Sequence, residues 1–135
     1  MDQRPSYGSP RGFHLFFEEL TLDLLEFAEW DFKLSLPDKD GVSEREYLEQ
    51  VEKQAGHTPT PLQGPEFPEL LGSVWSFFLE LHGSRGQGYN GPLPLTYTEI
   101  SAWQSLTGNT LSSWEVDVIK KLDRTYVRII NDRPS

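Results

Sequence analysis

Three helix-start signatures constrain the fold of this chain more than any other feature of its sequence. In each, a Ser or Thr is followed three residues later by a Glu: Ser43 and Glu46, Thr96 and Glu99, Ser112 and Glu115. This capping box satisfies backbone donors that the first turn of a helix leaves without partners. Gly56 and Gly108 follow two of these helices, where the left-handed conformation of a helix end favours glycine. The chain is therefore predicted to be mainly α-helical.

Apolar residues spaced three and four apart predict two further helices. The first is an amphipathic helix from Phe13 to about Leu36, with a possible break near Thr21. The segment from Trp30 to Leu36 also alternates well enough to form a strand. Another helix, from Glu69 to His82, has an apolar band wide enough for burial on more than one side. Together with the three capped helices, these make about five.

Prolines and glycines predict where the chain divides. A flexible arm is expected over residues 1–12, an acidic N-terminal helical region over 13–56, a Pro-rich linker over 57–68 and a C-terminal three-helix domain over 69–135. A long glycine-rich loop over 83–92 separates helices three and four. Loops longer than a helix connection requires are often functional.

Composition limits the environment and the partners. The 135 residues include no cysteine, which excludes disulfides and thiolate metal sites and fits a reducing cytoplasm. No stretch approaches the roughly 20 apolar residues that cross a bilayer, and the polar N-terminus lacks a signal peptide. The formal net charge of −9 repels phosphate backbones. We therefore expect protein partners and no membrane, and the charge disfavours nucleic acid.

Residues suited to catalysis or metal binding do not form a recognisable pattern. His14, His57 and His82 lack the spacing of metal ligands. Asp38 begins a segment similar to a calcium loop, but the twelfth position, Glu49, falls inside a predicted helix. The glycine-rich loop has neither the preceding strand nor the following Lys-Ser/Thr of a phosphate-binding loop. The prediction is a protein that is not an enzyme and has no catalytic, cofactor-binding or metal-binding residues.

The fourth and fifth helices have roughly the dimensions of a DNA-reading helix-turn-helix. The first turn of the fifth helix, however, carries Glu115 and Asp117. Base reading usually requires Arg, Lys, Asn or Gln at this place. A small regulatory protein that uses this segment to bind DNA or another protein remains an alternative.

A surface that binds another protein is the interpretation that remains. Trp, Tyr and Arg are enriched at binding hot spots, and a glycine-rich loop supplies an adaptable contact. The candidate partner-binding residues are Trp75, Phe78, Arg85, Tyr89, Trp103 and Trp114.

The second half of the chain, about residues 68–130, resembles the tail-assembly chaperones of long-tailed bacteriophages. The shared succession is W-x-x-F-x-x-L, R-G-x-G, G-P-x-P-L-T-Y-x-E-I-x-A-W-x-x-L-T-G and W-E-V-x-x-I-x-x-L-D. The matching positions are Trp75, Phe78, Leu81, Arg85, Gly86, Gly88, Gly91, Pro92, Pro94, Leu95, Thr96, Tyr97, Glu99, Ile100, Ala102, Trp103, Leu106, Thr107, Gly108, Trp114, Glu115, Ile119, Leu122 and Asp123. The acidic residues 1–62 depart from this pattern.

The resemblance implies a non-enzymatic factor of virion morphogenesis in the host cytoplasm. Its expected partners are the long, aggregation-prone tape-measure protein and the tail-tube protein, and it is also a candidate homo-oligomer. The leading alternative is a structural tail-completion or connector protein of the virion. The second alternative is a small phage regulatory protein that binds host protein or DNA through the helix-turn-helix-like segment. Detection of the chain in purified particles would favour that alternative.

Overall fold

The computed structural model describes residues 10–132, except for the side chains of residues 10, 11, 13 and 14. Within this range the helices are α1 (Pro10–Ser35), α2 (Glu44–Ala55), α3 (Gly72–Gly83), α4 (Tyr97–Thr107) and α5 (Ser113–Asn131). Two-residue strands β1 (Gln87–Gly88) and β2 (Gly91–Pro92) form the single small sheet of the described chain. The prediction of a mainly α fold with five helices is confirmed. The predicted arm lies outside the described residues up to residue 9, and residues 10–12 begin α1.

Helix α1 is continuous, so both the break near Thr21 and the strand over residues 30–36 were wrong expectations. The Thr21 hydroxyl donates to the Phe17 carbonyl at 2.7 Å, a bond that leaves the helix intact. Leu24, Ala28 and Phe32 continue one buried stripe at four-residue steps. Burial of this stripe in the core stabilises the helix and outweighs the strand propensity of the local sequence.

The caps predicted from the sequence are present at all three helix starts. Thr96 forms a complete capping box with Glu99, and Ser112 forms one with Glu115. Ser43 accepts from the Glu46 backbone N–H, which is half of the same arrangement. Gly56 and Gly108 end α2 and α4 in the left-handed conformation, as expected.

The Pro-rich linker is packed against α1 rather than free of it. The Trp30 indole N–H donates to the Pro61 carbonyl at 2.9 Å, and Gly64 lies directly on the Trp30 ring. Phe67 packs edge-on against Phe27, with ring centroids 4.9 Å apart. Short 3₁₀ turns at Thr60–Leu62 and Glu69–Leu71 accommodate the prolines, and the predicted third helix therefore becomes α-helical only at Gly72.

One hydrophobic core joins both halves of the chain. Helix α1 lies along α5 in the same direction, since Phe17 contacts Trp114 near their N-termini and Phe32 contacts Tyr126 further along. Helix α3 packs on α5 beside α1. The buried core comprises Leu24, Ala28, Phe32, Leu71, Val74, Phe78, Leu81, Leu95, Ile100, Val118, Ile119, Leu122 and Ile129. The domain boundaries at residues 12, 56 and 68 stay a prediction.

Candidate protein-binding surface

The glycine-rich loop folds into a tight hairpin. Gln87 pairs with Pro92 and Gly88 with Gly91, and the Leu93 N–H closes the base by donating to the Gly86 carbonyl at 2.9 Å. Gly91 has φ +118°, a conformation that side chains other than glycine rarely adopt. Tyr89 and Asn90 stand at the tip.

A buried ion pair anchors this hairpin to α5. Arg85 and Asp123 have side chains only 3% and 2% exposed, and Arg85 Nη1 lies 2.5 Å from Asp123 Oδ1. The same guanidinium nitrogen donates to the Leu93 carbonyl at 2.8 Å. Asp123 Oδ2 accepts from the Leu95 N–H at 3.0 Å. The pair therefore fixes the chain on both sides of the hairpin.

Aromatic side chains complete the surroundings of Arg85. Its guanidinium lies 4.7 Å from the Tyr126 ring centroid, and its Nε donates to His82 Nδ1 at 3.0 Å. Burial lowers the pKa of His82 below its ordinary value, the Arg85 charge lowers it further, and Asp123 acts in the opposite direction. His82 is therefore kept neutral near pH 7, as an acceptor must be.

Beyond the anchor, apolar side chains face outward. Tyr89 is fully exposed, Leu93 is about half exposed, and Tyr97 and Leu106 on α4 are exposed by 67% and 87%. Trp103 and Leu106 line a groove of about 300 Å³ between the end of α3 and α4. We call Tyr89, Leu93, Tyr97, Trp103 and Leu106 the hairpin–α4 surface. Tyr97 and Leu106 are nine residues apart on α4 and therefore project from opposite sides of this helix, so the name covers exposed apolar side chains around the hairpin and α4 rather than one flat patch.

The six candidate partner-binding residues predicted from the sequence lie in different parts of the structure. Phe78 is fully buried, and Trp75 stacks on it at 5.9 Å, also contacting rings from α1 and the linker. Arg85 forms the buried ion pair with Asp123. Tyr89 and Trp103 lie in the hairpin–α4 surface, and Trp103 packs edge-on against Phe77.

Trp114 is separate from these residues and lies on the α1 side of α5. Its ring centroid is 4.7 Å from that of Phe17. It also lines a groove of about 380 Å³ with Leu22 and Leu25 of α1. The three tryptophans of α3, α4 and α5 thus each pack against different phenylalanines.

Sequence reasoning missed the part played by Asp123. A usable signal was present, because Asp123 lies on the apolar stripe of α5, four residues after Ile119 and beside Leu122. A carboxylate buried on such a face requires a charged or hydrogen-bonding partner. Lys120 was also missed: its ammonium donates to the Leu95 carbonyl at 2.7 Å and lies 4.6 Å from the Tyr97 ring centroid.

Two further findings concern other kinds of site. Among the described residues, no three His, Asp or Glu side chains come together as ligands for a metal ion. In the same part of the chain, no helix combines the length and apolarity needed to cross a membrane.

Comparison with known proteins relates the chain to one family. A family model described as phage tail assembly chaperone matches residues 51–128, more than half of the chain. This segment runs from the end of α2 into the last turns of α5 and contains the hairpin–α4 surface and both members of the buried ion pair. No curated protein and no solved structure matches the chain.

Proposed function

Because the chain belongs to the phage tail assembly chaperone family, we propose that it holds the tape-measure protein during virion assembly and helps to recruit tail-tube subunits. It acts without catalysis, in the host cytoplasm, and binds its client through the hairpin–α4 surface. The family match over residues 51–128 is the observation that carries this proposal.

The chemistry of the hairpin–α4 surface supports the choice of client. A long, aggregation-prone polypeptide exposes apolar segments before it is assembled, and these need a reversible apolar cover. Tyr89, Tyr97 and Leu106 are exposed large side chains within the matched segment. Exposed aromatic side chains such as those of Tyr89 and Tyr97 are enriched at protein–protein interfaces.

The rigidity of the hairpin also supports binding there. Arg85 and Asp123 hold its base, so Tyr89 is presented on a fixed support. A contact that is already ordered loses less conformational entropy on binding. The net charge of −9 keeps the chaperone soluble while it carries an apolar client.

Co-expression with a fragment of the tape-measure protein from the same phage tests the proposal. We expect a soluble complex, and we expect Tyr89→Ala combined with Leu106→Ala to weaken it by about thirtyfold or more, since one hot-spot truncation alone costs about 2 kcal/mol. Tyr47→Ala is the matched control, because Tyr47 is 65% exposed on α2 and lies outside the matched segment. Absence of a soluble complex would refute the client assignment, and equal losses in both variants would refute the surface.

A further inference from the structure

A third groove, of about 570 Å³, lies between α1 and the end of the linker. Its apolar lining includes Leu20, Phe67 and Leu70. Leu20 and Phe67 are partly buried against the core, whereas Leu70 is 73% exposed. Phe67 is held in place by the Phe27 and Trp75 rings at 4.9 and 6.2 Å. The groove is therefore a preformed apolar feature of the fold.

Among the described residues that line this groove, the charged ones are all carboxylates. Two come from the exposed face of α1 and two from the linker and the following 3₁₀ turn: Asp23, Glu26, Glu66 and Glu69. All four side chains are exposed, and none of them forms an ion pair with a Lys, Arg or His side chain that the structure describes. Elsewhere, Glu29, Asp31, Asp117 and Asp123 do have basic partners. We call this feature the acidic groove.

We propose that the acidic groove binds a basic amphipathic segment of a partner polypeptide, with apolar side chains against Leu20, Phe67 and Leu70 and Lys or Arg side chains against the four carboxylates. Charge complementarity and apolar burial would then act on the same ligand. The groove joins α1, which the family match does not cover, to residues 65–70, which it does. This inference extends the proposed function, because it concerns a second surface and another kind of contact.

The charge of the molecule disfavours other occupants. Nucleic acids and anionic lipid surfaces are repelled by four uncompensated carboxylates. A second copy of the chain also carries a net charge of −9. Among the bases that the structure describes, Lys33, Lys121 and Arg128 are already paired with acids of their own chain. A basic segment of a different protein fits the groove best.

The test uses the full chain and a labelled synthetic peptide of about 18 residues, five helical turns, with Leu on one face and Lys beside it. Fluorescence anisotropy measures the Kd at low ionic strength. We expect Glu66→Gln combined with Glu69→Gln to raise the Kd about tenfold. The control, Glu49→Gln combined with Glu80→Gln, removes the same charge from exposed positions outside the groove and should change the Kd by less than about twofold.

A second pair of variants, in which an apolar side chain is replaced by Ser, tests the apolar lining of the acidic groove. Leu70→Ser should weaken the peptide, whereas Leu22→Ser, at a position 65% exposed on the other side of α1, should not. Equal effects of the groove and control variants would show diffuse electrostatic attraction and overturn the proposal. A smaller oligomer in sedimentation of the Glu66→Gln, Glu69→Gln chain would also overturn it, because a second copy would then fill the groove.

The hairpin–α4 surface provides a control that separates the two proposals. Tyr89→Ala should leave the peptide Kd unchanged while weakening the tape-measure complex. One outcome is that the tape-measure complex never forms while the groove variants still raise the peptide Kd more than their controls do. In that case the proposed client is wrong and the acidic groove is supported. If the complex forms and the groove variants change the peptide Kd no more than their controls do, only the acidic-groove proposal is wrong.

Discussion

At the scale of single residues, Arg85 and Asp123 decide how the hairpin is held. Both charges are almost completely removed from water, which costs free energy that only close pairing and hydrogen bonds can offset. Arg85 Nη2 has no hydrogen-bond partner among the described residues. The guanidinium therefore depends strongly on the single Asp123 carboxylate for its stabilisation.

Asp123→Asn should destabilise the protein by about 3 kcal/mol or more, because it leaves a buried charge without a counter-charge. The Asn carbonyl can still accept from the Leu95 N–H, but the Asn amide NH2 group then faces Arg85 Nη1 donor to donor, so the change removes both the counter-charge and an acceptor. Urea unfolding measures the free energy. Asp117→Asn is the control: its partner Lys121 and Asp117 itself are 41% and 57% exposed, and the cost should stay below about 1 kcal/mol. Similar costs for both variants would contradict the assigned role of the buried pair.

At the scale of elements, the linker is fixed by contacts that its composition does not reveal. Proline and glycine explain why residues 57–68 avoid a long helix. The docking of the linker depends instead on the Trp30 ring, which contacts Gly64 and hydrogen-bonds Pro61. Since the linker also forms one wall of the acidic groove, its position matters for the second surface.

Gly64→Ala should detach or displace the linker, because the added methyl group would overlap the rigid Trp30 ring. We expect faster proteolytic cleavage within residues 57–68 and a red shift of tryptophan emission. Gly72→Ala is the matched control, since its backbone is already helical and nothing lies near the added atom. That substitution should be neutral or stabilise by about 0.4–1 kcal/mol. An unchanged cleavage rate in Gly64→Ala would argue against this packing.

At the scale of the whole molecule, α1 completes the core formed by the C-terminal helices. Leu24 and Ala28 are fully buried, and Phe32 packs edge-on against Tyr126 of α5. The family match begins only at residue 51, so a helix outside the matched segment covers helices within it. The N-terminal half therefore contributes to the core that supports the hairpin–α4 surface.

A chain reduced to residues 57–135 should lose cooperative unfolding, because its α5 would expose the face that α1 covers. Truncation of a single buried Leu to Ala already costs about 2–5 kcal/mol, a large part of the stability of a small domain. Circular dichroism during urea unfolding, with dye binding to exposed apolar surface, checks this expectation. A fragment that unfolds with the midpoint of the full chain would instead support an independent C-terminal domain over residues 69–135.

The local sequence determined where the three capped helices begin and where α2 and α4 end. A capping box or a left-handed glycine acts through hydrogen bonds and backbone conformations within a few residues, so Ser112, Thr96 and Gly108 could be interpreted without the rest of the chain. The resemblance over residues 68–130 identified the family for the same reason, since its motif is continuous along the sequence. The exposure of Tyr89 also followed from its place in a glycine-rich loop.

The tertiary structure alone decided which side chains are buried and which distant side chains contact each other. Arg85 and Asp123 are far apart in the sequence, and Trp75 and Phe78 look as available for a partner as Tyr89 does until α1 and the linker are placed over them. The choice of helix over strand at residues 30–36 also depended on α5. Burial and long-range pairing depend on where distant segments pack, and periodicity along one segment does not contain that information.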